Sequence, residues 1–171
     1  HSMANIVSAA IFGDGVACAM LSSHPDDSGP EIIAEEMYHF YHAEQMMGFK
    51  MTNTGLKMVL DVAVPETIEE NFPAIIHPFL QKNGLEIAAV DRLIFHPGGR
   101  KIVQLVEALF GELGKDIEDT KEVLRKYGNM SGATVLYVLE RHMDTNPVPG
   151  TIGLMLSFGP GFSAQRLLLK W

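Results

Sequence analysis

Two side chains in this sequence stand where a helix is expected to begin, His96 and Asn129. His96 closes the apolar run Leu93-Ile94-Phe95 and is followed by Pro97-Gly98-Gly99, after which a helical pattern starts. In an α/β fold such a run is a buried strand, and its carboxyl end delivers the next residue to a crevice. Asn129 follows Gly128 and leads through Met130-Ser131-Gly132 into a second helix. Helix N-termini present unpaired N–H groups and the positive end of the helix dipole. An imidazole and a carboxamide converging there supply two side-chain donors for a developing oxyanion. A plainer reading has His96 ending a strand and Asn129 or Ser131 capping a helix. The pattern alone leaves both open.

The elements that must hold these residues can be traced along the chain. Residues 5–12 form the apolar tail of an element begun earlier, and Gly13-Asp14-Gly15 turns into residues 16–21, a strand of small residues. That Gly-x-Gly lacks the third glycine and the preceding strand of a dinucleotide fingerprint. Residues 22–30 read as loop. Residues 31–41 read as a strand with Ile32, Ala34, Tyr38 and Phe40 on one face, hairpin-paired with residues 16–21. A loop at 48–54 and a strand at 56–62 follow. Pro65 opens a helix striped by Ile68, Phe72, Ile75, Ile76 and Phe79; Pro73 and Pro78 predict a kink or break, and Gly84 a stop. Ile102, Leu105, Val106 and Leu109 stripe the helix after His96, which stops at Gly111.

Residues 116–126 read as a surface helix with Ile117, Val123 and Leu124 inward. From Met130 to Leu139 no residue is charged. This predicts a helix buried all round, in a middle layer between two sheets. Residues 144–150 form a linker. Ile152, Leu154, Leu156 and Phe158 alternate as a strand, Gly159-Pro160-Gly161 turns, and residues 166–171 form a terminal strand. The order predicts a mixed-sheet α/β unit.

A chain of 171 residues is enough for one domain with a real core. Its 47% hydrophobic content is high beside 20% charged residues, yet no apolar run approaches the roughly 20 residues of a membrane span. The surplus points to buried or partner-covered surface. A net charge of −8 argues against a nucleic-acid partner, which needs a basic face. The one cysteine, Cys18, excludes an internal disulfide framework and suits a reducing cytoplasm. With no base or helix N-terminus beside it, Cys18 reads as a core residue of its strand. His39 and His42, three apart, fall on opposite faces of a strand without a further ligand pair, so neither a metal site nor a cofactor is expected. No signal peptide is read. His1-Ser2-Met3 reads as an expression-tag remnant, leaving residues 4–171 as the domain.

Four motifs carry more than periodicity: Phe12-Gly13-Asp14-Gly15, Phe95-His96-Pro97-Gly98-Gly99, Tyr127-Gly128-Asn129-Met130-Ser131-Gly132-Ala133 and Phe158-Gly159-Pro160-Gly161-Phe162. In this order they resemble the C-terminal half of type III polyketide synthases, the chalcone and stilbene synthase-like branch of the thiolase superfamily. The resemblance implies a thiolase-like half-fold in a homodimeric cytoplasmic acyltransferase. It implies decarboxylative Claisen condensation of malonyl-CoA with acyl-CoA starters. In that family a cysteine carries the acyl chain, while a histidine and an asparagine bind the malonyl thioester carbonyl as carbon dioxide leaves. The histidine also supports the cysteine as thiolate.

These last two roles fall on His96 and Asn129. Gly98, Gly99 and Lys101 would line the CoA tunnel. Phe158, Gly159, Pro160 and Gly161 would shape the cavity floor, with Ser131 near the extension pocket. A gatekeeping phenylalanine of the family falls on Met58, as happens in bacterial members, and a flexible thioether there changes the cavity. The nucleophilic cysteine belongs to an N-terminal half that this sequence does not contain, so the chain is expected to be inactive alone and to need that half as partner. Two alternatives stay open, a ketoacyl synthase III-like condensing enzyme and a non-catalytic thiolase-like binding module.

Overall fold

The computed structural model describes residues 3–24, 27–53 and 55–171, with side chains from residue 6 onward. His1 and Ser2 of the expected tag remnant lie outside the described residues. Four strands form a mixed sheet in the order β1-β6-β5-β4, with β1 Glu31–His39, β4 Arg92–Phe95, β5 Ile152–Gly159 and β6 Ser163–Lys170. Only β4 and β5 run parallel; the β1–β6 and β5–β6 pairs are antiparallel. A separate hairpin joins β2 (Met47–Thr52) to β3 (Gly55–Leu60).

The sheet is covered on both faces, which is why β4 is apolar at consecutive positions. Leu93 and Phe95 pack with Phe72, Ile75 and Phe79 of α2 (Val64–Lys82) and with Val106 and Phe110 of α3 (Arg100–Gly111). Ile94 faces the opposite way, toward Val123 of α4 (Glu118–Tyr127) and Val135 and Val138 of α5 (Ala133–Asp144). Each fully buried side chain of this size contributes about 1.5–3 kcal/mol, so two-sided burial dominates the placement of β4. The mixed-sheet α/β reading holds.

Residues 3–11 form a helix, α1 (Met3–Ile11). Several local expectations fail. Residues 16–21 form no strand, and residues 31–41 do not pair with them; β1 pairs along its length with β6. β6 offers a whole strand edge whose facing side chains complete the core, whereas residues 16–21 have no second edge within the described residues. Cys18 is therefore exposed rather than in the core. The 48–54 loop is largely strand β2, closed by alternating pairing with β3. Val62, placed in that second strand, is 91% exposed beyond its end.

Pro73 and Pro78 do not break α2, which runs 19 residues through both. Each proline removes one helical N–H. The buried stripe, with Ile68, Ile75, Ile76, Phe79 and Leu80 at or below 1% exposure, outweighs that loss. Arg166 helps beside Pro78: its guanidinium lies over Phe79, donates to the Ile75 carbonyl and approaches the Glu36 carboxylate at 3.6 Å.

Helix α5 lies against one sheet. Val135 and Val138 are buried on it, while Leu136, Tyr137 and Leu139 are half-buried. No second sheet covers its outer side among the described residues.

Candidate functional site

His96 is held through its backbone from two sides. Its N–H donates to the Leu156 carbonyl of β5 at 2.9 Å, extending the β4–β5 pairing by one residue. The Phe95 carbonyl just before it accepts from the Thr120 hydroxyl of α4 at 2.9 Å, and Thr120 is fully buried. The Phe95 ring is pinned edge-on against Phe158, centroids 6.1 Å apart. The imidazole is half-buried, and among the described residues neither ring nitrogen has a hydrogen-bond partner. Burial pushes its pKa from 6.5 down to about 4. The side chain at pH 7 is a neutral imidazole with one N–H to give and one lone pair to accept.

Asn129 is 3% exposed. Its Nδ2 donates to the Gly98 carbonyl at 3.0 Å, and its Oδ1 accepts from the Ser131 N–H at 2.8 Å. Both partners are backbone groups of fixed polarity, so the carboxamide has one consistent orientation. The amide nitrogen carries two hydrogens and uses one of them here, leaving a second donor. Gly98 N–H in turn donates to the His96 carbonyl at 2.9 Å. Two hydrogen bonds thus connect the predicted pair, and Gly98, Gly99 and Ser131 lie in the same place.

The Asn129 loop is built differently from the cap expected of it. Helix α5 begins at Ala133, with Gly132 at its N-cap and no side-chain cap. Ser131 adopts a left-handed φ of +57°, closed by the Asn129 carboxamide as a local turn. The Thr134 hydroxyl reaches back instead, accepting from Met130 N–H and donating to the Ser131 carbonyl, both at 2.8 Å. Asn129 is thereby free to face Gly98.

The loop also leans on the end of α1. Asn129 N–H donates to the Ile11 carbonyl at 2.9 Å, and its own carbonyl accepts from Gly13 N–H at 3.0 Å. A Cβ on Gly13 would lie 2.5 Å from the Tyr127 carbonyl oxygen, and one on Gly15 would run into the Met130 side chain. Close approach of the Tyr127 main chain at Gly13 and of the Met130 side chain at Gly15 is what this Gly-x-Gly serves. Its first and third positions were the available signal. Thr120 and Thr134 carried none, because a buried threonine hydroxyl has no sequence signature.

The remaining predicted residues are more dispersed. Met58 in β3 accepts from the Ser8 hydroxyl of α1 at 3.2 Å and lies opposite Phe49. Both line a groove with Leu56 and Lys57. Helix α1 links that groove to the His96 turn, since Ile11 Cδ1 lies 3.8 Å from where a Gly99 Cβ would be. Phe158 is 8% exposed and packs in an aromatic cluster with Phe40, Phe95 and Phe162, so its ring is a core element. Gly159 is half-buried, while Pro160 and Gly161 are exposed in the β5–β6 turn. Gly161 N–H donates to the Met47 carbonyl at 3.1 Å, tying this turn to the hairpin that carries Met58. Lys101 is exposed in the first turn of α3. Among the described residues no three His, Cys, Asp or Glu side chains cluster as a metal site, and no helix is long and apolar enough to cross a membrane.

Residues 33–171, which contain His96, Asn129 and the turns at Gly98-Gly99 and Gly159-Pro160-Gly161, match the family model for chalcone and stilbene synthases, C-terminal domain. The chain belongs to this family. It is 29% identical to a putative chalcone synthase of Bacillus subtilis, with 98% of this chain and 48% of the relative aligned. It is 31% identical to 1,3,6,8-tetrahydroxynaphthalene synthase of Streptomyces peucetius, over 99% of this chain and 46% of the relative. Among solved structures, 1,3,6,8-tetrahydroxynaphthalene synthase of Streptomyces coelicolor, a bacterial type III polyketide synthase, superposes with a TM-score of 0.74 at 29% identity. That match covers 84% of this chain and 41% of that one. A polyketide synthase of the brown alga Ectocarpus siliculosus gives 0.73 at 26% identity, over 86% and 42%. The chain therefore spans about half the length of the curated relatives it matches.

Proposed function

We propose that this chain is the C-terminal half of a type III polyketide synthase and supplies the oxyanion site for decarboxylative condensation of malonyl-CoA with an acyl-CoA starter. The observation that carries the reading is the Asn129 carboxamide, locked by two backbone partners with one N–H to spare, beside a neutral His96. When the malonyl C–C bond breaks, its electron pair moves to the thioester oxygen as carbon dioxide leaves. The spare Asn129 N–H and the imidazole N–H donate to that oxygen. The enolate carbon then attacks the acyl thioester carbon, and a thiolate leaves.

The acyl-carrying cysteine lies outside this chain. Cys18 is exposed, and its sequence neighbours Ala17 and Ala19 supply no base to activate it. On this reading the chain alone forms no condensation product, and the intact enzyme is a cytoplasmic homodimer needing no metal or organic cofactor. Met58 and the groove beneath α1 contribute to the acyl cavity, Gly98, Gly99 and Lys101 to the CoA approach, and the Phe158–Gly161 turn to the cavity wall.

Decarboxylation of malonyl-CoA by the intact enzyme tests it. Loss of one oxyanion donor costs about 10²–10³ in rate. Asn129→Ala and His96→Ala should each fall by that much, and unchanged turnover in both removes these residues from the chemistry.

A further inference from the structure

His142, in the last turn of α5, is 7% exposed, and among the described residues neither ring nitrogen has a hydrogen-bond partner. A buried polar group left unpaired is costly, and the groups around it show where a partner could come from. Asp119, in the first turn of α4, places its Oδ2 3.9 Å from Nε2, too far for a hydrogen bond. Its Oδ1 is already held by Arg141 Nε of α5 at 2.7 Å. Burial has the largest influence on the ring and keeps its pKa below the ordinary 6.5, so it is neutral at pH 7. Asp119 works against burial, Arg92 of β4 works with it, and the Leu93 carbonyl and Asp116, just before α4, favour the charged ring less strongly. Leu93 and Phe95 lie two apart on β4, so both direct their carbonyls to the edge away from β5. His142 and Thr120 therefore face one strand edge, the one that leads into His96.

We propose that His142 and Asp119 form a proton-operated latch between α5 and α4 that acts on the His96 turn through Thr120. A protonated ring has two N–H donors and draws Asp119 Oδ2 in to about 2.8 Å, the length of a charge-assisted hydrogen bond. Arg141, next to His142 on α5, keeps the other carboxylate oxygen from swinging away. Closure therefore moves the first turn of α4. Thr120 is the next residue, and its hydroxyl sits on the Phe95 carbonyl at 2.9 Å. That bond is near its optimum length, so a shift of its donor helix weakens it. The neutral ring leaves the strand before His96 braced, and the charged ring loosens it. The effect on catalysis rests on the polyketide synthase reading; the movement does not.

The intact enzyme that carries this chain tests the latch. Exchange of the imidazole C2 hydrogen, read by peptide mapping against pH, should give His142 a midpoint below 6.5. Asp119→Asn, which removes the carboxylate facing the ring, should lower that midpoint further. At about pH 5.5, backbone amides of 93–96 should exchange about fivefold faster than in His142→Met, with no difference at about pH 7.5. Malonyl-CoA decarboxylation should follow the same pattern, His142→Met retaining more of its rate in acid. A midpoint unchanged in Asp119→Asn overturns the proposal, as does equal exchange of 93–96 with and without His142. A ring that titrates only as the enzyme unfolds overturns it as well. Coupled exchange in an enzyme that does not decarboxylate malonyl-CoA keeps the latch and removes the catalytic reading. Decarboxylation with the same acid limb in both proteins keeps the catalytic reading and removes the latch.

Discussion

His96 and Asn129 are two hydrogen bonds apart, yet different parts of the molecule hold them. His96 extends a parallel strand pair at the bottom of a two-sided core, with its backbone fixed by Leu156 and its neighbour Phe95 by Thr120. Asn129 sits in a loop between two helices, and its main chain is bound to Ile11 and Gly13 at the end of α1. That helix leads straight into an uncovered apolar segment. The imidazole is thus placed by the sheet of this chain, whereas the carboxamide is placed by a peripheral helix whose continuation is unsatisfied. The His96 turn is fixed by the sheet, and the Asn129 turn by the end of α1.

Disturbing each support separately breaks the comparison. Gly13→Ala should have the largest effect on stability, because its Cβ would meet a backbone oxygen at 2.5 Å and the loop must move. We expect a loss of about 3 kcal/mol in urea unfolding of the isolated chain, with amide shifts concentrated at 127–131 and not at 93–96. Thr120→Val should cost about 1–2 kcal/mol by leaving the Phe95 carbonyl unpaired, with the opposite pattern of shifts. Equal disturbance of both regions by either variant would show that the supports are not separate.

The smallest effect is on pH dependence. His96 has its pKa lowered from 6.5 to about 4, so the unfolded chain binds this proton first. The contribution is intact above about pH 6.5 and drains away as pH falls toward 4. Solvent access to the ring reduces it to about 1 kcal/mol between pH 7 and 5. His142, whose pKa burial also lowers, adds in the same direction. Urea midpoints against pH should therefore be flatter in His96→Gln than in the unsubstituted chain, and identical slopes would place the imidazole in water.

The sheet side of the site was legible in the sequence because it is local. Leu93-Ile94-Phe95 before His96, and the stripe Ile68, Phe72, Ile75, Ile76, Phe79, specify burial by periodicity alone. The Asn129 side was legible only as a helix start. Its orientation comes from a hydroxyl five residues on and a glycine over a hundred residues back, neither of which has a period. Residues 16–21 show a third situation. Their pattern is that of a strand, but a strand is a relation between two edges, and the described residues supply only one. Pattern reading assigned the nearest available partner, β1, which β6 takes instead because it completes the core.

The neutral state of His96 sets what it can do, and malonyl-CoA decarboxylation by the intact enzyme carrying His96→Gln measures it most directly. A glutamine keeps a neutral N–H donor without a basic nitrogen. If His96 stabilises the enolate oxygen by donating a hydrogen bond, His96→Gln should stay within about tenfold of the unsubstituted enzyme while His96→Ala loses about 10²–10³. Glutamine and alanine variants equally inactive would contradict this and make His96 a proton-transfer group instead.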